Sequence, residues 1–143
     1  MQAVLILAHK NIDQVVELCQ RLRPYFELYI HFDKKVKLTS QQRTELEKNG
    51  VKYYSKYDVK WGSYSIVRAT ILLIKESLMN KKINYFHLIS GQDWPMQSPE
   101  KIYNFFNYFL FSFSFSFFGG MESSILHSSS AFLRIFRMQH SSF

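Results

Sequence analysis

Ala3-Val-Leu-Ile-Leu-Ala8, followed by His9-Lys10-Asn11 and then by Ile12, Val15, Val16, Leu18, Cys19 and Leu22, is the stretch that decides the fold class. The first six residues are apolar without alternation, as in a strand covered on both faces. The next apolar residues recur at intervals of three and four, as on a helix with one buried face, until Pro24. Asn11 and Gln14 suggest an approximate capping box at the start of that helix. Working outward, Tyr29–Phe32 reads as a second strand. Thr39 and Gln42 form another capping box opening a polar helix, which Gly50 closes. Val51–Tyr54 reads as a third strand. A helix from Ser63 or Tyr64 carries Ile66, Val67, Ala69, Thr70, Leu72, Leu73 and Ile74 toward Leu78. Tyr85–Ile89 reads as a fourth strand, and Ser98-Pro99-Glu100 opens one more helix with a cap, a proline and an early carboxylate. Alternating strands and helices predict βαβ units with right-handed crossovers: an α/β fold with a mostly parallel sheet flanked by helices.

The chain has 143 residues, enough to bury one core without a disulfide or metal. Its single cysteine excludes an intramolecular disulfide, and Cys19 falls on the apolar helix face as a small buried residue. The opening residues lack a basic segment and a small-residue cleavage site, so no signal peptide is expected. No apolar run approaches the ~18 residues of a membrane span. The expected location is cytoplasmic, with membrane contact at most peripheral. The net charge of +7 favours an anionic partner, although Lys34, Lys35, Lys37, Lys48 and Lys52 fall in segments read as solvated.

Composition changes after Asn104. Of 14 phenylalanines, 11 lie from Phe105 onward, with 10 serines from Ser112 onward, and between Ile102 and Phe143 only Glu122, Arg134 and Arg137 are charged. Phe111–Phe117 alternates phenylalanine with serine, the period of a strand, in an uncharged segment of high β-propensity. Residues 1–104 therefore read as the folded unit and 105–143 as a tail. The tail is either an aberrant or poorly ordered extension, or an aromatic hairpin that meets a membrane or a partner.

In a parallel α/β sheet, ligands bind beyond the carboxyl ends of the strands. Those ends carry His9-Lys10-Asn11, His31-Phe32-Asp33-Lys34-Lys35, Asp58-Val59-Lys60-Trp61-Gly62-Ser63 and Ser90-Gly91-Gln92-Asp93-Trp94-Pro95. No Walker loop, G-x-G-x-x-G run or zinc pattern is present. The four aspartates, Asp13, Asp33, Asp58 and Asp93, form no Asp-x-Asp pair, so a diphosphate-bound cation has no such anchor.

Four of these features, in order, resemble the core-2/I-branching β-1,6-N-acetylglucosaminyltransferases and their bacterial relatives. They are the strand ending in His9, the His31-Phe-Asp33-Lys-Lys35 strand end, the Trp61-Gly-Ser-Tyr-Ser turn into a helix, and Ser90-Gly-Gln-Asp93-Trp-Pro95. The resemblance spans residues 3 to about 104. It implies a GT-A-like fold and inverting transfer from a UDP-sugar, UDP-N-acetylglucosamine first, to a glycan acceptor. It implies no cofactor, no metal and no nucleic-acid partner. A single carboxylate base would activate the acceptor hydroxyl, while basic side chains neutralise the departing UDP. In the family those groups lie in the C-terminal half, which this chain is expected to lack. The expected behaviour is donor binding without transfer; the alternative is a non-catalytic fragment that binds a UDP-sugar or a partner protein. A third reading is a phosphate-binding module without sugar chemistry.

The donor-site residues expected are His9, Asp33, Trp61, Ser63 and Asp93. Asp33 would accept hydrogen bonds from uridine or ribose. His9 would either shape the nucleotide pocket or be satisfied by backbone. Trp61 would pack near the nucleotide or cover the core. Ser63 would cap its helix beside the pyrophosphate, where free N–H groups suit an anion. Asp93 would orient the sugar or brace the Gly91 turn against the Ser98 helix, and Trp94 would line the acceptor side or pack inward.

Overall fold

The structure, a computed structural model, describes residues 1–60, 62–118 and 132–133, with side chains through residue 108. Strands β1 (Gln2–Ala8), β2 (Glu27–Phe32), β3 (Lys52–Tyr54), β4 (Tyr85–Ser90) and β5 (Phe132–Leu133) alternate with helices α1 (Ile12–Leu22), α2 (Ser40–Lys48), α3 (Tyr64–Leu78) and α4 (Pro99–Phe118). All strand pairs are parallel, in the order β3-β2-β1-β4-β5. β1 is thus central: Ala3 to Ala8 pair with Glu27 to Phe32, and Gln2 to Leu7 with Tyr85 to Ser90. That position explains its unbroken apolar sequence, because both of its faces are covered.

One face carries Val4, Ile6, Leu28, Ile30 and Phe32, packed with Val15, Leu18, Cys19 and Leu22 of α1 and Leu46 of α2. The other carries Ala3, Leu5, Tyr29 and Phe86, packed with Leu73 of α3. Leu5, Ile6, Leu18 and Ile30 are fully buried, each worth about 1.5–3 kcal/mol of apolar transfer. Cys19 lies in this interior, where burial pushes its thiol up to about 12.

Ile102 and Tyr103 of α4 pack on the α1 side of the sheet. The polar anchor there is Gln2, fully buried in β1. Its amide nitrogen donates to the Tyr103 carbonyl at 2.8 Å, and its carbonyl oxygen lies 2.8 Å from His87 Nε2. Nothing in the sequence around Gln2 signals this role, since its partners lie 85 and 101 residues away. Burial among aromatic rings pushes the His87 imidazole down to about 4.

Two local expectations are corrected. Thr39 and Gln42 form their capping box, but Asn11 makes no side-chain cap. Its backbone is left-handed at φ 50°, and its side-chain amide donates to Gln92 Oε1 at 3.0 Å instead. A capping side chain needs extended backbone at that position, whereas asparagine tolerates the left-handed region well. The second correction concerns Phe111–Phe117, which lie within helix α4 and not in a strand. Once Ser98 and Pro99 have started the helix, each further residue adds one hydrogen bond without a new nucleus; a strand would need an edge to pair with. The composition break at residue 104 is therefore not a break in secondary structure.

Candidate functional site

From β1 the chain runs out to β2 and β3 on one side and then crosses to β4 on the other, so the switch point of the sheet lies beside the carboxyl end of β1. The loops after β1, β2, β3 and β4 meet along this edge.

Asp33 closes the β2 side. Its backbone N–H donates to the Ala8 carbonyl at 2.8 Å, continuing the β1–β2 ladder by one bond. The residue is only 6% exposed, and its carboxylate accepts from Lys35 N–H at 2.8 Å and from Val59 N–H at 2.6 Å. Burial alone would raise this carboxyl, but the two N–H groups, then the Lys35 ammonium and His31, outweigh it and hold it below the ordinary carboxylate value. The Lys35 ammonium itself pairs with Asp58 at 3.0 Å.

His31, two residues earlier, is 1% exposed. Its Nε2 accepts from the backbone N–H groups of Lys56 and Tyr57 at 3.2 and 3.1 Å. The ring is therefore neutral with its proton on Nδ1, which has no partner among the described residues. Leaving such a donor buried costs about 1–3 kcal/mol. Burial lowers the imidazole below its ordinary value of 6.5, with Asp33 pulling the other way. The Tyr57 ring stacks on His31 at 5.7 Å, with the Arg68 guanidinium 4.5 Å from its centroid. Asp33 and His31 together tie the segment from Lys56 to Val59 to the end of β2. The strand-end pattern pointed to Asp33. His31 stands in the same quoted motif, but its task is visible only once β3 lies beside β2.

Ser63 caps α3 as expected: its Oγ accepts from Ser65 N–H and donates to the Lys60 carbonyl at 2.8 Å. Gly62 supplies the turn before it, with φ 71°. Trp61 lies outside the described residues. Lys34, Lys56, Lys60 and Arg68 are exposed along this side. His9 is exposed just past the end of β1.

The β4 side closes by contact instead. Gly91 N–H donates to the Leu7 carbonyl at 2.8 Å. A Cβ on Gly91 would lie 2.9 Å from Val15 and 3.0 Å from the Ala8 Cβ, so a glycine is needed here for close approach. Asp93 accepts from Ser90 N–H at 2.8 Å and returns its own N–H to the Ser90 carbonyl at 3.0 Å. These two bonds brace the Gly91 turn against the end of β4, rather than against the Ser98 helix. Trp94 packs against the α1-side core, with the Arg21 guanidinium 5.7 Å from its ring. It also lines a small cavity of about 30 Å³ with Val4, Leu18, Phe26, His87 and Asp93. That space is far below the several hundred Å³ of a typical ligand pocket.

The order of the edge, with a histidine-tipped β1, the His31-x-Asp33 clasp, a capped α3 and the glycine turn after β4, repeats the four motifs quoted above. A family model of the core-2/I-branching enzymes matches residues 4–123. The chain belongs to the core-2/I-branching enzyme family. No curated protein and no solved structure matches it. The match extends past residue 104 through all of α4, correcting the expectation that the resemblance ends there. Membership makes this a glycosyltransferase domain of the GT-A-like α/β type, a class that takes a nucleotide-sugar donor and a glycan acceptor. Among the described residues, no three of histidine, cysteine, aspartate or glutamate gather where one cation could be held. No helix among them is long and apolar enough to cross a membrane.

Proposed function

We propose that this core-2/I-branching domain binds a UDP-sugar, UDP-N-acetylglucosamine first, across the carboxyl ends of β1 and β2. The observation that carries the reading is the clasp at Asp33. A buried, ionised carboxylate is held rigid by two backbone N–H groups, with lone pairs left for uridine or ribose. Around it stand His9, the capped start of α3 at Ser63, and the exposed cations Lys34, Lys56, Lys60 and Arg68. The positive end of the α3 dipole and these cations suit a diphosphate. Asp93 acts behind this surface by fixing the β4 turn.

Inverting transfer would need a carboxylate free to take the acceptor proton. At this edge Asp33 and Asp93 are engaged by backbone N–H groups and Asp58 by Lys35. At the described edge these aspartates serve structure and ion pairing, and the reading proposed for the chain is donor binding without transfer.

Titration calorimetry of the full chain with UDP-N-acetylglucosamine tests the reading. Binding should be equal with and without EDTA, and incubation with galactosyl acceptors should yield no glycoside. Affinity that vanishes with EDTA would defeat the metal-free binding; no affinity for any UDP-sugar would defeat the site.

A further inference from the structure

We propose that His31 is a positioning residue for the donor edge, and that proton uptake by its ring releases the segment around Lys56 and Tyr57 and so weakens donor binding. The inference rests on the UDP-sugar reading for its functional consequence, but not for the conformational step.

The geometry is that of a clasp with one acceptor. Nε2 of His31 takes two backbone N–H groups, from Lys56 and Tyr57, at 3.2 and 3.1 Å. Both belong to the segment after β3, which has no strand or helix of its own to satisfy them. A protonated imidazole is a donor at both nitrogens and accepts nothing. Adding one proton would therefore set three N–H groups against each other at a site 1% exposed. Water could relieve this only by opening the segment.

The released segment carries much of the proposed site. Val59, two residues beyond Tyr57, donates to Asp33 at 2.6 Å, Asp58 holds Lys35, and Tyr57 carries Arg68 over its ring. Lys34 N–H also donates to the Tyr57 carbonyl at 3.0 Å.

The charged groups around the ring come from each packed element. Asp33 follows it just past the end of β2, and Lys35 pairs with Asp58. Lys56 and Arg68 lie 5.6 and 4.5 Å from the centroid of the Tyr57 ring that stacks on the histidine. On β3 its register partner Tyr54 is bound to Glu76 of α3, and on β1 its partner is Leu7. Asp33 favours the proton, but burial outweighs it. The neutral ring thus contributes stability above the ordinary imidazole value of 6.5, and that contribution is lost as pH falls through the lower folded value. The window is acidic.

The test uses the full chain labelled with ¹⁵N. From about pH 7.5 to about pH 5, the His31 ring signals and the protection of the Lys56 and Tyr57 amides are followed together. The affinity for UDP-N-acetylglucosamine, whose diphosphate diester keeps its charge in this range, is measured over the same steps. We expect the two amides to lose protection as the ring titrates, and affinity to fall about tenfold or more. His31→Gln, which offers an oxygen acceptor that does not titrate, should flatten the affinity profile whatever its starting value. Amides that stay protected while the His31 ring takes up its proton would overturn the inference, as would an unchanged slope in His31→Gln. Should that variant not fold, the wild-type amides decide alone. A chain that binds no UDP-sugar yet loses those two protections refutes the donor site and leaves the clasp standing.

Discussion

The two sides of β1 are closed by different physics. Toward β2, a buried carboxylate and a buried imidazole gather four backbone N–H groups, three of them from 25 or 26 residues away. Toward β4, the closure is steric, with Gly91 resting on Ala8 and Val15, and its polar brace is local, Asp93 reaching back only three residues to Ser90. A polar clasp is directional and sensitive to charge, while a close-packed turn is sensitive to volume. The first suits an edge that must adjust to an anion, and the second one that must stay fixed.

The largest effect should come from Asp33→Asn. It retains one acceptor oxygen but turns an amide N–H₂ toward a backbone donor, so one charge-assisted bond is lost and the other weakened. The expected cost is about 2–4 kcal/mol in urea unfolding, with UDP-sugar affinity lowered at least tenfold. Because this carboxyl lies below its ordinary value of 3.8 in the fold, its contribution is present above that pH and lost as pH falls through the folded value. The stability gap between variant and parent should close in the same direction. A gap that persists in acid would show that charge is not what Asp33 supplies.

Gly91→Ala should come next, at about 1–3 kcal/mol, because the added methyl meets the Ala8 backbone as well as the Val15 side chain. Here the loss should be the same at acid and neutral pH. Asp93→Asn, with one local bond at stake, should cost about 1 kcal/mol and change UDP-sugar affinity less than threefold. An effect on affinity matching that of Asp33→Asn would place Asp93 on the sugar and break the distinction between the two sides.

The smallest effect should be that of Asp13→Asn. Asp13 lies in the first turn of α1, exposed, and accepts from Gln42 Nε2 at 2.8 Å. Thermal unfolding should show a loss of about 0.5 kcal/mol or less, with UDP-sugar affinity unchanged. Equal losses of affinity from Asp13→Asn and Asp33→Asn would mean that strand-end position does not select the ligand-facing carboxylate.

The sequence alone determined the strands and helices of residues 1–104, their parallel arrangement and the strand ends where polar residues collect. Each of these depends on periodicity, caps and order, which are local properties. The core-2/I-branching resemblance was legible for the same reason, since its motifs sit at those ends. What only tertiary structure decided was the partner of each polar group. Gln2 gave no local sign of anchoring α4, because its partners are remote in the chain. His31 became a clasp only when β3 settled beside β2. Asn11 yielded its expected cap to Gln92, a residue 81 positions away. Phe111–Phe117 carried a strand's alternation yet continued a helix, since alternation specifies a strand only where a neighbouring edge receives it, while α4 needed only to propagate. Hydrogen-bond satisfaction is thus settled by which segments the buried apolar residues bring together.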